Sequence, residues 1–120
     1  MPKDARNPRK MGKQWPLFEH YAFNGHTHHP GVFEMEEGFT RPEDMLIPLN
    51  YLLDGNDKAI VNVGSVGQPR DRNPNACYVI FEDDLVIYRR VPYDVHKTRK
   101  LIYQIDMLDN FLGDRIVVAK

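Results

Sequence analysis

The chain has 120 residues, which is the size of one domain or of part of one. Its formal net charge of -1 gives no reason to expect nucleic acid or an anionic membrane surface as a partner. No apolar run approaches the ~20 residues that a membrane-spanning helix needs, and no signal-peptide segment is recognised. Cys77 is the single cysteine, which excludes an internal disulfide and favours a cytoplasmic location.

The first thirteen residues differ in composition from the rest of the chain. They have almost no apolar side chain and carry the basic residues Lys3, Arg6, Arg9, Lys10 and Lys13. A flexible terminus explains this better than a nucleic-acid-binding arm, because acidic residues elsewhere balance the charge. We therefore divide the chain into a basic flexible leader (residues 1–13) and a globular portion (residues 14–120). A short helix is expected over residues 13–20.

Three histidines follow a short apolar strand, residues 21–23, within four positions. Gly25 lets the backbone turn sharply at the end of this strand. His26 and His28 can then point at a common centre, and neutral imidazole is a favoured ligand of Zn, Mn or Fe. The alternative is a polar loop that happens to contain histidines, because two imidazoles do not complete a coordination sphere. We call residues 25–29 the histidine turn.

A second apolar strand, residues 59–63, also breaks at a glycine, and we call residues 64–70 the glycine turn. Asn62 precedes the glycine turn as Asn24 precedes the histidine turn. A buried amide must be hydrogen-bonded. We therefore predict that the two strands are neighbours and that both asparagines brace one rim; the alternative is an amide that only caps a loop.

Arginines follow the glycine turn directly. A guanidinium group matches phosphate geometry with two parallel hydrogen bonds, so Arg70 is the better candidate for a contact with a substrate phosphate, ahead of Arg72. A surface ion pair of either arginine with Asp71 is the competing interpretation, which the sequence favours slightly.

The remaining elements are predicted from periodicity. Strands are expected over residues 31–36, 45–47, 51–53, 76–81 and 85–91, with a tight hairpin between the last two. The strand over residues 76–81 is apolar on both faces, so it is expected to be buried on both sides with Cys77 in the core. Helices are predicted over residues 94–105, with Asp94 as N-cap, and over residues 108–116. His96 lies on the polar side of the first of these helices.

The two turns, with the later segments ACYVIFED and RRVPYD, resemble the C-terminal half of the calcineurin-like metallophosphoesterases. The likeness is strongest to the small prokaryotic branch with protein-phosphatase-like and diadenosine-tetraphosphatase-like members. It covers roughly residues 18–120 and rests on GHTH and NVGSVGQPRD in this order. The family motifs Asp-x-His, Gly-Asp-x-x-Asp and Gly-Asn-His-Asp are not found, so the resemblance implies about half of a catalytic domain.

The resemblance implies an α/β fold, namely the C-terminal part of a four-layer αββα sandwich with mainly antiparallel or mixed sheets and closing C-terminal helices. It implies two divalent metal ions (Mn, Fe or Zn) in the complete domain, one held by His26 and the other by His28. Arg70 would contact the substrate. No catalytic residue is assigned to this chain, because the bridging carboxylate and the proton donor of the family belong to the other half.

The implied function is a metal-dependent phosphoesterase that hydrolyses a phosphomonoester or phosphodiester with a water activated by two metals, and that is inactive without its N-terminal half. The alternative is a non-catalytic phosphoesterase-fold scaffold or protein-binding module. The expected partners are a phosphorylated substrate, the N-terminal half of the domain and, through the uncovered sheet, a second copy of the chain. Neither nucleic acid nor a membrane is expected.

Overall fold

The computed structural model describes residues 7–120, which form two β-sheets and three α-helices. The elements are α1 (Pro8–Gly12), β1 (Tyr21–Asn24), β2 (Gly31–Glu34), β3 (Gly38–Thr40), β4 (Asn50–Leu52), β5 (Ala59–Asn62), β6 (Ala76–Glu82), β7 (Leu85–Val91), α2 (Val95–Tyr103) and α3 (Asn110–Val118). The expectation of a mixed α/β fold with closing helices is confirmed. None of the helices within residues 7–120 has the length and apolar character needed to cross a membrane.

The first sheet has the strand order β1-β5-β2-β3. Strands β1 and β5 are parallel, and their last residues, Asn24 and Asn62, are register partners. Strands β2 and β3 continue the sheet in antiparallel pairing. Because parallel strands end at the same edge of a sheet, the chain leaves β1 and β5 at one rim, and this rim carries both predicted turns.

The second sheet has the strand order β4-β7-β6 and is antiparallel throughout. Strands β6 and β7 form the predicted hairpin, whose turn residues Asp83 and Asp84 both have positive φ, at 47° and 62°. A two-residue turn with both φ angles positive matches the twist of the strands that it joins. Residues 45–47, predicted as a strand, are not one, and Leu46 and Ile47 are exposed.

The core lies between the two sheets. Val32 and Val61 of the first sheet pack with Val86 and Tyr88 of the second, and each of these side chains is at most 1% exposed. Cys77 joins the same cluster, as predicted, and burial raises the pKa of its thiol to about 11. A thiol of that pKa is protonated at neutral pH, so Cys77 fills space and does not act as a nucleophile.

The N-terminal elements differ from the prediction. Helix α1, capped by the Asn7 side chain, lies within the predicted leader, of which residues 1–6 fall outside the described range. The helix expected over residues 13–20 is only a short 3-10 turn, Trp15–Leu17, because Pro16 has no N–H to donate within a longer helix. The division of the chain at residue 13 stays a prediction.

The Trp15 segment is held over the first sheet. The Trp15 ring packs against Phe33 of β2 at a centroid distance of 5.5 Å. The Lys58 ammonium donates to the carbonyl oxygens of Trp15 and Phe18 at 2.8 and 2.7 Å. These contacts place the N-terminal segment on the face of the sheet that points away from the core.

The C-terminal helices pack mainly against each other. Gly113 of α3 lies so close to Tyr103 and Arg99 of α2 that an added Cβ would meet them at 2.9 and 3.1 Å. The Asp94 carboxylate caps α2 by accepting from the Lys97 N–H at 3.0 Å, as predicted. The second helix begins at Asn110 and runs to Val118, two residues later at each end than predicted.

Strand β6 is buried on one face only. Cys77 points to the core, whereas Tyr78 and Ile80, which the sequence predicts to be buried, are 42% and 39% exposed. The prediction was wrong because the alternation shows that both faces are apolar but does not show whether this chain supplies a layer to cover the outer one.

Candidate functional site

The histidine turn and the glycine turn lie together at the rim where β1 and β5 end. The Val63 N–H donates to the Asn24 carbonyl at 2.8 Å, and the Arg70 N–H donates to the His28 carbonyl at 3.1 Å. A Cβ on Gly25 would lie 3.2 Å from the Gly64 carbonyl oxygen. Backbones this close leave little room for a side chain at Gly25. The prediction that the two turns share one rim is confirmed.

Asn62 is the polar centre of this rim and is 7% exposed. Its amide nitrogen donates to Asn24 Oδ1 at 3.0 Å and to Thr27 Oγ1 at 2.9 Å. Its Oδ1 accepts from the Gly64 N–H at 2.9 Å. One buried side chain therefore ties together β1, the histidine turn and the glycine turn. The prediction that both asparagines brace the rim is confirmed.

Tyr88 of β7 connects this rim to the second sheet. Its hydroxyl donates to the Asn62 carbonyl at 2.8 Å and accepts from the Gly31 N–H at 3.1 Å. Burial raises the pKa of the Tyr88 hydroxyl above its ordinary value, so the group keeps its proton and its role as donor. Sequence reasoning missed Tyr88, because a tyrosine among apolar strand residues gives no signal beyond core packing.

His28 is fixed in one tautomer by the glycine turn. Its backbone has the left-handed φ of 61°, and its ring Nδ1 lies 2.8 Å from the Gln68 carbonyl oxygen. A carbonyl can only accept, so Nδ1 carries the proton of the neutral ring and Nε2 keeps its lone pair. A hydrogen bond from one ring nitrogen to a carbonyl is the usual way in which a metal-binding histidine is oriented.

His26 lies on the exposed side of the same turn. Its N–H faces Asn24 Oδ1 at 3.4 Å, and its side chain lines an open cavity of about 440 Å³ beneath α1. Asn24, Thr27 and Asn62 line the same cavity. The polar braces of the rim thus form one wall of the space into which a ligand of His26 would enter.

Comparison with known proteins agrees with this geometry. The chain superimposes on the crystal structure of a metallophosphoesterase from Sphaerobacter thermophilus with a TM-score of 0.80 and 30% sequence identity, over 95% of the chain. The chain has the fold of a metallophosphoesterase. It spans 49% of the length of that structure. The resemblance inferred from the two turns is confirmed, and so is the fold class.

A second relative is similar along most of the chain. An uncharacterized protein of Methanocaldococcus jannaschii is 35% identical over 100 residues, which are 82% of the chain and 39% of that protein. No family model matches the chain. The chain therefore spans about half or less of the length of the relatives that it matches.

The described residues do not include a complete metal-binding set. Within residues 7–120 no group of three or more His, Cys, Asp or Glu side chains is arranged to hold a metal ion. Metallophosphoesterases use divalent metals, and the free Nε2 of His28 and the exposed ring of His26 fit such ions as two donors. An ion held by these groups needs further ligands to complete its coordination sphere.

His29 and Arg70 face a different space from His26. Both line a second open cleft, of about 500 Å³, whose lining does not include His26. Burial is the main cause that lowers the pKa of His29 below its ordinary value, and the positive charge of Arg70 contributes in the same direction. The position of Arg70 agrees with a role in binding an anion, and that role stays a prediction.

The predicted surface ion pair of Asp71 with Arg70 or Arg72 is wrong. The Asp71 carboxylate pairs with Arg90 of β7, and Arg90 also donates to the Asn75 carbonyl at 2.9 Å. Side chains next to each other in an extended loop point apart, whereas β7 brings Arg90 against the loop from a distance in sequence. Within residues 7–120 the Arg70 side chain makes a single hydrogen bond, to Gln68 Oε1 at 3.3 Å.

Proposed function

We propose that the chain is the part of a metal-dependent phosphoesterase domain that supplies His26 and His28 as ligands of two divalent cations. The observation that carries this proposal is the hydrogen bond from His28 Nδ1 to the Gln68 carbonyl, which leaves Nε2 free as a donor. The similarity to a metallophosphoesterase of about twice the length supports it. The other ligands and the proton donor for the leaving group belong to the N-terminal half of such a domain.

In a complete domain, divalent cations held by His26, His28 and further ligands would supply Lewis-acid activation of a water and neutralisation of phosphate charge. The residues of this chain act around that chemistry. His28 is oriented by the glycine turn, and Asn62 holds the histidine turn against β5. Arg70 is proposed to bind a substrate phosphate at the same rim. Manganese is the proposed metal, and the proposed location is cytoplasmic.

Metal binding is the first test. We expect the chain to bind Mn²⁺ weakly, because two imidazoles give each ion too few ligands, and we expect His26→Ala/His28→Ala to abolish that binding. His96→Ala is the matched control, because His96 is an exposed histidine on α2, away from the rim. Isothermal titration calorimetry measures the difference. Equal binding by the wild type and the double variant would mean that these histidines are only loop residues.

Activity is the second test. We expect no significant hydrolysis of an aryl phosphate with Mn²⁺ by the chain alone, because the ligand set and the proton donor are incomplete. Fusing the chain to the part of the Sphaerobacter thermophilus metallophosphoesterase that it does not match is expected to give activity, and His28→Ala to remove it. Brisk turnover by the chain alone that is lost on His28→Ala would show that the chain has a self-contained site.

A non-catalytic scaffold or protein-binding module is the second candidate. The incomplete ligand set within residues 7–120 and the exposed outer face of β6 favour it. The same assays separate the two candidates. A scaffold would give no activity in the fusion, whereas a phosphoesterase half would give activity that depends on His28.

A further inference from the structure

The cleft beside the histidine turn has an apolar floor and a cationic wall. Pro30 and Phe39 form the floor, while Arg41, Arg70 and Arg72 line the wall. Its volume of about 500 Å³ is in the range of pockets that hold small molecules. Neither His26 nor His28 is among the residues that line this cleft, although Phe39 borders both the cleft and the cavity that His26 lines.

The two acidic side chains that line the cleft, Glu43 and Asp71, each contact an arginine, although Asp71 Oδ1 is buried without a hydrogen-bond partner among the described residues. Asp71 is bound by Arg90, and Glu43 lies 3.4 Å from Arg41, which also binds Asp44 at 2.7 Å. Arg90 balances the charge of Asp71, whereas Arg41 is shared between Glu43 and Asp44. The remaining cationic side chains of the lining are Lys120 and two arginines that have no acid partner among the described residues.

Arg70 and Arg72 are those arginines. The Arg72 side chain makes no hydrogen bond or ion pair with any described residue, and Arg70 contacts only Gln68. The Arg70 Nε is buried without an acceptor. A buried guanidinium N–H without a partner is costly, so an acceptor entering the cleft would remove that cost.

The backbone of this loop is held in place. The Arg72 N–H donates to the Ala119 carbonyl at 2.9 Å, and Arg72 has a left-handed φ of 67°, which is unfavourable for arginine. Arg90 clamps the loop by binding both Asp71 and the Asn75 carbonyl. Because the backbone that carries the two guanidinium groups is already ordered, binding an anion would cost less conformational entropy of the loop.

We propose that this cleft is a phosphate-binding site in which Arg70 and Arg72 bind the oxygens of a phosphate group, separately from the metal ions of His26 and His28. Two adjacent guanidinium groups without acid partners suit a doubly charged, tetrahedral oxyanion with several acceptor atoms. The phosphate binding itself needs no metal. Only the assignment of that phosphate to the substrate, as a group apart from the one that is hydrolysed, rests on the proposed function.

Titration of the chain with inorganic phosphate, after removal of divalent metals on a chelating resin, tests the proposal by calorimetry. We expect saturable binding, and we expect Arg70→Gln and Arg72→Gln each to weaken it about tenfold, as the loss of a charge-assisted hydrogen bond does. Arg89→Gln is the matched control. Arg89 is exposed on β7 and is not part of the cleft lining, so the substitution removes the same charge outside the cleft. We expect this control to bind within about twofold of the wild type.

Amide chemical shifts locate the bound ion, and circular dichroism checks the fold of each variant. Arg72 is exposed, so Arg72→Gln remains a valid test even if Arg70→Gln disturbs the loop. A parallel titration with phenyl phosphate distinguishes the source: binding of both ligands indicates a phosphate ester group, and binding of inorganic phosphate alone indicates the free ion. Absence of saturable phosphate binding, or equal weakening by all three substitutions, would overturn the proposal.

Discussion

At the scale of single residues, the site depends on Asn62 more than on either histidine. Three hydrogen bonds of its side chain join β1, the histidine turn and the glycine turn. An apolar side chain of similar size would keep the volume but leave the Gly64 N–H without its acceptor. The position of the histidine turn is therefore determined by a residue that is not one of the proposed metal ligands.

We predict that Asn62→Leu lowers the free energy of unfolding by about 2 kcal/mol or more, because the partners left behind are buried and unsatisfied. Asn56→Leu is the control, since Asn56 is exposed in a turn and should change stability by less than about 0.5 kcal/mol. Urea unfolding measures both. Similar losses in the two variants would mean that the hydrogen bonds of Asn62 contribute little.

Single residues also show where sequence reasoning succeeds. The positions of Asn24 and Asn62 were predictable, because each precedes a glycine at the end of an apolar strand. The pairing of Asp71 was not, since its partner Arg90 is brought close only by the folding of β7. The roles of Tyr88 and Gln68 were likewise hidden, because they depend on contacts between distant parts of the chain.

At the scale of elements, the strands were more predictable than the helices. Apolar runs gave β1, β5, β6 and β7 to within about a residue or two. Helix α1 was missed because its five residues carry no apolar stripe. The glycine turn also contacts β6, where the Cys77 N–H donates to the Ser65 carbonyl at 2.9 Å, and this contact joins segments that no local pattern connects.

That contact gives a second prediction. Gly64 has a φ of 77°, and an added Cβ would lie 2.9 Å from Cys77 Sγ. Gly38 has a similar φ of 83° but nothing within 4 Å of an added Cβ. We expect Gly38→Ala to cost about 1 kcal/mol of stability for the backbone alone, and Gly64→Ala to cost at least ~1 kcal/mol more for the collision. Thermal unfolding of the two variants measures the difference, and equal shifts in the midpoint would contradict the argument.

At the scale of the whole molecule, the chain is more extended than a compact domain of its length. Its radius of gyration is 15.9 Å, with extents of 49 × 30 × 20 Å. A compact domain of this length would have a radius of gyration of about 13.6 Å. The outer face of the β6–β7 hairpin also exposes apolar side chains, among them Tyr78, Ile80 and Val91. Such a surface is typical of a region that another layer covers.

We therefore predict that the chain self-associates in solution through this face, and that Tyr78→Lys/Ile80→Lys reduces the association by placing charges on an edge strand. Leu46→Lys is the control, because Leu46 is fully exposed and lies outside this face. Sedimentation velocity over a range of concentrations measures the effect. A wild-type chain that remains monomeric at all concentrations would contradict the prediction.

The hydroxyl of Tyr88 has a consequence for how the chain opens. It holds the Gly31 N–H and the Asn62 carbonyl, both in the first sheet, from a strand of the second. The rim cannot separate from the hairpin without breaking these bonds, so the two belong to one cooperative unit of local unfolding. The amide proton of Gly31 should then exchange with deuterium as slowly as those at the centre of β7. A ligand that stabilises the rim would slow exchange throughout the hairpin, far from the atoms that it touches.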